Sequence, residues 1–321
     1  MTTIRDIAKA AGVSATTVSN VLNGRAKVSQ QNRERILKIC QEMNYTPNIN
    51  ARNLKYGKTN TVMFMFSDFE RSYYLQIIKG IHECLEGHGL GMIVCTYSTS
   101  QSFLQNGLVD GAIVLDNNIQ DSQILLAAER KMKIVVMERY LESPDISCIL
   151  TDNYNAMAQL TDGLLKKGYR KFSYIGAYEN TLNHKERYDA FRNTLRDASV
   201  DFKEENYYLG DYSFSSGVKA ARIMIMREEL PEVVVCANDD MAAGVVSLFR
   251  EMSIDVPHKI GVTGFDGTRI WELPDKYLTT VVLPCYEKGY IAAETLVNMI
   301  RGSDSVTNKI KVPIRWGQST I

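Results

Sequence analysis

The sequence predicts a small all-α N-terminal domain, a short connecting helix, and a large α/β core of two similar lobes. Residues 1–46 carry apolar side chains at helical spacing and no strand pattern. A short helical stretch follows Pro47 and stands apart from either neighbour. Beyond Gly57, short continuous apolar runs alternate with amphipathic helices, and the alternation restarts partway along the chain. Such strands between helices indicate parallel sheets covered on both faces.

In the head, Ile4, Ile7, Ala8 and Ala11 follow helical spacing, and Gly12 breaks that helix. Thr3 and Ser14 are each placed to cap the helix after them, with Asp6 as a capping-box partner of Thr3. Val18, Val21 and Leu22 stripe a second helix. Two helices joined by a tight Gly-containing turn read as a helix-turn-helix. Off the second stripe lie Ala15, Thr16, Thr17, Ser19 and Asn20, small or polar side chains suited to base edges and phosphates. A third helix begins after Ser29, with Ile36, Leu37, Cys40 and Met43 as its inward face and Arg33 and Lys38 available to phosphates. It ends at Asn44-Tyr-Thr-Pro47. The segment 48–55 is too short to be stable alone in water. With Leu54 as its large apolar residue it reads as a hinge helix that orders in a DNA minor groove, or as a passive linker.

In the core the pattern predicts strands at 62–66, 91–95, 112–115 and 134–137, with helices at 74–87 and 124–130 and a short helical piece around Phe103. The second series has helices at 156–167, 186–197, 215–227 and 241–252 between strands at 171–175, 207–210, 233–236 and 261–264. A helix at 292–300 and strands around 310–316 close the chain. The crevice between two such lobes is the default ligand site.

Formal charge is zero, but its distribution is uneven. Up to Lys58 the basic residues Arg5, Lys9, Arg25, Lys27, Arg33, Arg35, Lys38, Arg52, Lys55 and Lys58 face only Asp6, Glu34 and Glu42. A basic head on an acidic body binds phosphate at one end only. No apolar run approaches the ~18 to 20 residues that cross a membrane, and the N-terminus enters a helix without a signal peptide, so a cytoplasmic protein is expected. The six cysteines are scattered, mostly among apolar neighbours, and read as buried thiols without metal-ligand spacing. No cofactor is expected.

Catalysis finds little support. None of the four histidines sits at a strand end beside a nucleophile and a carboxylate, and no phosphate-binding glycine loop is present. Asp239-Asp240 could be metal carboxylates, yet paired acids before a helix serve equally as cap and first-turn residues.

The ordered segments Ile4-Arg-Asp-Ile-Ala-Lys-Ala-Ala-Gly-Val-Ser-Ala-Thr-Thr-Val-Ser-Asn-Val-Leu-Asn23, Asn44-Tyr-Thr-Pro-Asn48, Ala51-Arg-Asn-Leu54, Val109-Asp-Gly111, Thr151-Asp-Asn153, Gly168-Tyr-Arg170, Ala237-Asn-Asp-Asp-Met-Ala242, Gly264-Phe-Asp266, Leu278-Thr-Thr280 and Ser319-Thr320 resemble the lactose-repressor family of bacterial transcription regulators along essentially the whole chain. The resemblance implies a non-enzymatic repressor: a headpiece at 1–46, a hinge helix and linker at 47–58, and a core at 59–321 like periplasmic binding proteins. Its first lobe would take 59–153 and 285–312, and its second 154–284 and 313–321. It further implies a homodimer on a palindromic double-stranded operator, controlled by a small effector between the lobes. Ala15, Thr16 and Asn20 would read bases, Thr17, Ser19 and Arg33 would touch phosphates, and Ala51 and Leu54 would enter the minor groove. Arg187 and Asp266 would face the effector, unless they form only a structural ion pair. Asn238, Tyr212 and Glu138 would join them. A polar cleft with an aromatic wall favours a sugar or sugar phosphate; Tyr73 and Tyr74 keep a nucleobase open, and some members answer to a phosphoprotein partner.

Four departures from the family pattern stand out. Asn20 replaces a common Arg on the recognition helix. The stretch 96–108 is shorter than usual. Phe69-Glu-Arg-Ser-Tyr-Tyr74 replaces an Asn-Pro-Phe motif. Tyr169 replaces a common His, in what reads as a surface turn.

Overall fold

The computed structural model describes residues 2–22, 28–46, 58–67, 73–96, 103–104, 107–177, 181–227, 229–268 and 273–321. Ala51 and Leu54 lie outside the described residues, as do most of the segment around Phe103 and the replaced motif up to residue 72. The chain divides into two compact units, Met1–Thr59 and Asn60–Ile321.

The first unit holds α1 (Ile4–Ala11), α2 (Ala15–Leu22) and α3 (Gln30–Glu42). Thr3 and Asp6 form a reciprocal capping box, and Gly12 ends α1 in the left-handed region at φ 63°. The Ser14 hydroxyl accepts the Thr17 amide at 3.1 Å and so caps α2. Ile7, Ala8, Ala11, Val18, Val21, Ile36 and Cys40 form the core. Leu37 does not join it and is 45% exposed. Ile36, Cys40 and Met43 already form the inward stripe, and Leu37 falls about 100° round the helix from Ile36.

The second unit contains two six-stranded sheets. The first runs β11 (Thr307–Ile310), β5 (Ile146–Thr151), β4 (Lys133–Met137), β3 (Gly111–Val114), β1 (Thr61–Met65), β2 (Gly91–Cys95), all parallel. The second runs β12 (Ile314–Arg315), β10 (Thr279–Val282), β9 (Gly261–Asp266), β8 (Val233–Cys236), β6 (Phe172–Ala177), β7 (Tyr207–Gly210), with only β12 antiparallel to its neighbour. Helices α4 (Tyr73–Gly87), α5 (Asp121–Glu129) and α10 (Cys285–Ile300) serve the first sheet, and α6 (Asn153–Lys166), α7 (Leu182–Asp197), α8 (Phe214–Met226) and α9 (Asp239–Glu251) the second. The chain therefore passes between lobes after β5, after β10, and between β11 and β12.

Two strands, β5 and β10, escape the sequence reading. Both bury nearly every residue but interleave Ser147, Cys148, Thr151, Thr279 and Thr280 with their aliphatics, which breaks the apolar run. Their hydroxyls are satisfied internally: Ser147 Oγ accepts the Val306 amide at 2.9 Å, and Thr279 Oγ1 accepts that of Gly317 at 2.9 Å. Helix α10 starts at Cys285, seven positions before the expected Ala292. Its first two turns hold Tyr286, Glu287 and Lys288, a polar stretch that hides a buried face.

Each lobe has one close helix crossing built on paired glycines. A Cβ on Gly80 or Gly289 would lie 2.1 or 2.2 Å from a carbonyl of the other helix, across α4 and α10. Gly217 and Gly244 do the same across α8 and α9, at 2.1 and 2.2 Å. Tyr169 is not a surface residue. It is buried, underlies Gly261, and its hydroxyl accepts the Ile321 amide at 3.0 Å.

Candidate functional site

Parallel sheets present their ligand crevice at the carboxyl ends of the strands. The cleft in the second unit obeys this. It is lined by Leu115 and Asn117 past β3, Glu138 past β4, Thr181, Asn183 and Arg187 from the start of α7, Tyr212 past β7, Asp266 closing β9, Leu283 past β10, and Tyr74 from α4. It is open to solvent and has a cavity volume of about 80 Å³. Three of these side chains stand on left-handed backbone: Glu138 at φ 58°, Tyr212 at φ 65° and Asp266 at φ 109°. Such strain in non-glycine residues collects at functional sites, because the surroundings must hold it.

Arg187 is the most constrained group. Its side chain is buried, its guanidinium lies over the Phe265 ring with Cζ 3.6 Å from the centroid, and its Nε donates to Asn153 Oδ1 at 2.8 Å. Nη1 donates to the Ala237 carbonyl at 2.7 Å, and Nη2 lies 3.7 Å from Asp266 Oδ1. Asn153 in turn donates to Asn183 Oδ1 at 2.9 Å, joining two lining residues through one buried amide. Arg187 and Asp266 are thus an ion pair and cleft residues at once.

Asp266 has a buried neighbour. Asp239, in the first turn of α9, accepts from the Thr268 amide at 2.7 Å and meets Thr280 Oγ1 at 2.6 Å. Burial first, and the Asp266 charge second, push its carboxyl up to about 8. Asn238 is the true N-cap: its Oδ1 accepts the Met241 amide at 3.0 Å and its Nδ2 donates to the Tyr212 carbonyl at 2.9 Å. Asn238 therefore sits behind Tyr212 and is absent from the lining.

On the opposite wall, Thr151 Oγ1 donates to Glu138 Oε1 at 2.7 Å. Lys288 Nζ pairs with that same oxygen and donates to Thr151 Oγ1 at 2.8 Å. Lys288 is completely enclosed, and burial pulls its ammonium down to about 7. Beside Arg187, His184 stacks on Tyr188, and burial followed by the Arg187 charge lowers its pKa.

Of the effector residues predicted from sequence, Arg187, Asp266, Tyr212, Glu138 and Tyr74 come together in the cleft, and Asn238 supports it. Tyr73 opens α4. Asn153, Asn183, Thr181, Asn117 and Lys288 were missed. Thr151-Asp-Asn153 carried a signal, but Lys288 carried none, since a lysine in an amphipathic helix reads as a solvent contact. In the head, Thr16 and Arg33 are exposed, while Ala15, Thr17, Ser19 and Asn20 are half-buried. The Thr17 hydroxyl lies 2.9 Å from that of Ser14.

Among the described residues no helix is long and apolar enough to cross a membrane, and no acid, histidine or cysteine cluster could hold a metal. The described cysteines are free thiols.

Residues 3–48 match the model of bacterial regulatory proteins of the lacI family, and residues 161–320 that of a periplasmic binding protein-like domain. The chain is 26% identical over 328 residues to catabolite control protein A of Priestia megaterium, covering 99% of each. It is 29% identical over 320 residues to the HTH-type transcriptional repressor PurR of Mannheimia succiniciproducens, covering 97% of this chain and 96% of that one. A solved transcriptional regulator CelR–cellobiose complex is 26% identical with a TM-score of 0.74, covering 99% and 100% of the two chains. A lac repressor dimer bound to operator and an anti-inducer shares the fold at a TM-score of 0.85 and 21% identity, covering 99% and 98%. A helix-turn-helix head, a two-sheet core with a polar cleft, and relatives matched along their whole length make this chain a DNA-binding transcriptional regulator of the lacI family, and not an enzyme.

Proposed function

We propose that this regulator is a homodimeric repressor whose affinity for a two-fold-symmetric operator is set by a polyhydroxylated effector, a sugar or sugar phosphate, held in the cleft. The observation that carries this reading is the lining itself. Arg187, Asp266, Glu138, Asn117, Asn183 and Thr181 offer donors and acceptors, with Tyr74 and Tyr212 as the aromatic surface. A nucleobase would demand a broader stacking surface. The relative solved with cellobiose supports the same ligand class.

In the head, Ala15, Thr16 and Asn20 read bases, and Thr17, Ser19 and Arg33 hold phosphates. A two-fold operator requires two heads, hence a dimer. The boundaries we adopt are 1–46 for the head, 47–58 for the connection and 59–321 for the core.

Thermal-shift screening of the purified protein against sugars, sugar phosphates and nucleobases, followed by operator titration with each hit, tests the proposal. Sugars or sugar phosphates should raise the transition temperature and change operator affinity. Stabilisation by nucleobases alone would replace the proposed class.

A further inference from the structure

If the cleft is an effector site, as proposed above, its charges bear on what can enter. Among the described lining residues the charged ones are Glu138, Arg187 and Asp266. Arg187 is already committed: Nε and Nη1 donate within the protein, Nη2 faces Asp266, and one face lies on Phe265. An anionic ligand would therefore meet a guanidinium whose charge Asp266 already offsets. The other nearby cation, Lys288, is sealed behind Glu138 and reaches no ligand directly. The partial positive end of α7 at Thr181 favours a hydroxyl oxygen but carries only about half a charge.

The Lys288 contact also has a direction. Lys288 Nζ and Thr151 Oγ1 both converge on Glu138 Oε1. Among the described residues, Oε2 receives only the long contact from the Thr151 amide, at 3.4 Å. The carboxylate is thus pinned by one oxygen and keeps the other as an acceptor on a residue that lines the cleft. A proton passed between Lys288 and Glu138 leaves their joint charge at zero.

We infer that Lys288 is a specificity-determining residue of this cleft: from behind the wall it cancels and orients Glu138, so that the site selects an uncharged polyhydroxyl ligand over its phosphorylated or carboxylated counterpart. Lys288 acts through Glu138 and is a positioning residue.

Matched pairs test it by calorimetry on the full chain: glucose with glucose 6-phosphate, ribose with ribose 5-phosphate, galactose with galacturonate, and cellobiose with cellobionate. The neutral member of a binding pair should bind at least about tenfold tighter than its charged partner. Equal or tighter binding of the charged member overturns the inference and leaves the effector reading standing. Failure of every pair removes both.

For the residue itself, Lys288→Met leaves Glu138 charged and unpaired and should weaken the neutral sugar about tenfold or more. Adding Glu138→Gln restores the balance and should recover most of that affinity. An equal loss in single and double variants would mean that Lys288 only fills space, which overturns its role. Should Lys288→Met fail to fold, the double variant decides: it should fold and bind the neutral sugar, and its failure to do so counts against the inference.

Discussion

Asn153 and Arg187 stand 34 residues apart in sequence and meet at 2.8 Å, the guanidinium Nε donating to the amide Oδ1. Asn153 opens α6 just after the chain leaves the first sheet, and Arg187 sits one turn into α7. The same amide donates to Asn183, which lines the cleft. A buried side chain at the passage between lobes therefore sets the angle of the arginine in the cleft.

This relationship predicts that Asn153→Ala weakens effector binding without touching ligand. A hydrogen bond to a charged group is worth about 1.5–3 kcal/mol, so the loss in affinity should be about ten- to a hundredfold. Arg187→Ala should abolish binding. Calorimetry with a hit from the sugar screen measures both, with circular dichroism to check the fold. Wild-type affinity in Asn153→Ala would show that Arg187 is held in place by Ala237, Phe265 and Asp266 without it.

How much was legible in the sequence depends on how each signal is written. Gly12, Thr3 and Asp6 announce their turn and cap because local backbone chemistry demands those residue types. Asp266 stands in the ordered motif Gly264-Phe-Asp266, and Arg187 and Glu138 were reachable through the wider resemblance. Asn153 stands in the motif Thr151-Asp-Asn153, but its role, like those of Asn183 and Lys288, exists only where separate elements meet. Lys288 is the sharpest case: its partner Glu138 follows β4 and Thr151 ends β5, and β5 itself was hidden by its serine, cysteine and threonine. Leu37 failed in the other direction, since hydrophobicity alone cannot say on which side of an apolar stripe a neighbour falls.

Asp239 predicts a pH dependence of stability. Its folded carboxyl titrates at about 8 against an ordinary value of 3.8, with burial the first cause and Asp266 the second. Between about pH 4 and 8 the folded state holds a proton that the unfolded chain has released, so this group's contribution is complete below pH 4, falls as pH rises, and levels off above 8. Asp239→Asn should remove that decline. Its amide oxygen still accepts from the Thr268 amide, and its N–H meets Thr280 Oγ1, whose hydroxyl also reaches the Val281 carbonyl at 3.2 Å. Urea unfolding across this range should show about one proton fewer linked to unfolding in the variant. An unchanged slope would mean that Asp239 is ionised in the fold.

The head makes the last prediction. On α2, Thr16, Ser19 and Asn20 share one face, opposite Val18 and Val21, which are buried against α1 and α3. Thr16 and Asn20 lie one turn apart along that face, and Ser14 and Thr17 satisfy each other at the helix start. Asn pairs bidentately with adenine N6 and N7, whereas Arg pairs with guanine O6 and N7, each worth about 1–3 kcal/mol of discrimination. If Asn20 reads an A·T pair, Asn20→Arg should shift or relax preference at that one position in each half-site, leaving the others intact. Arg33 is exposed on α3 and assigned to phosphate. Arg33→Ala should instead weaken all sequences nearly uniformly and reduce the salt dependence by about one released counterion. A binding selection over randomised operators, repeated at two salt concentrations, separates the two effects. An Asn20→Arg protein that selects the wild-type operator unchanged would take Asn20 off the base-reading face.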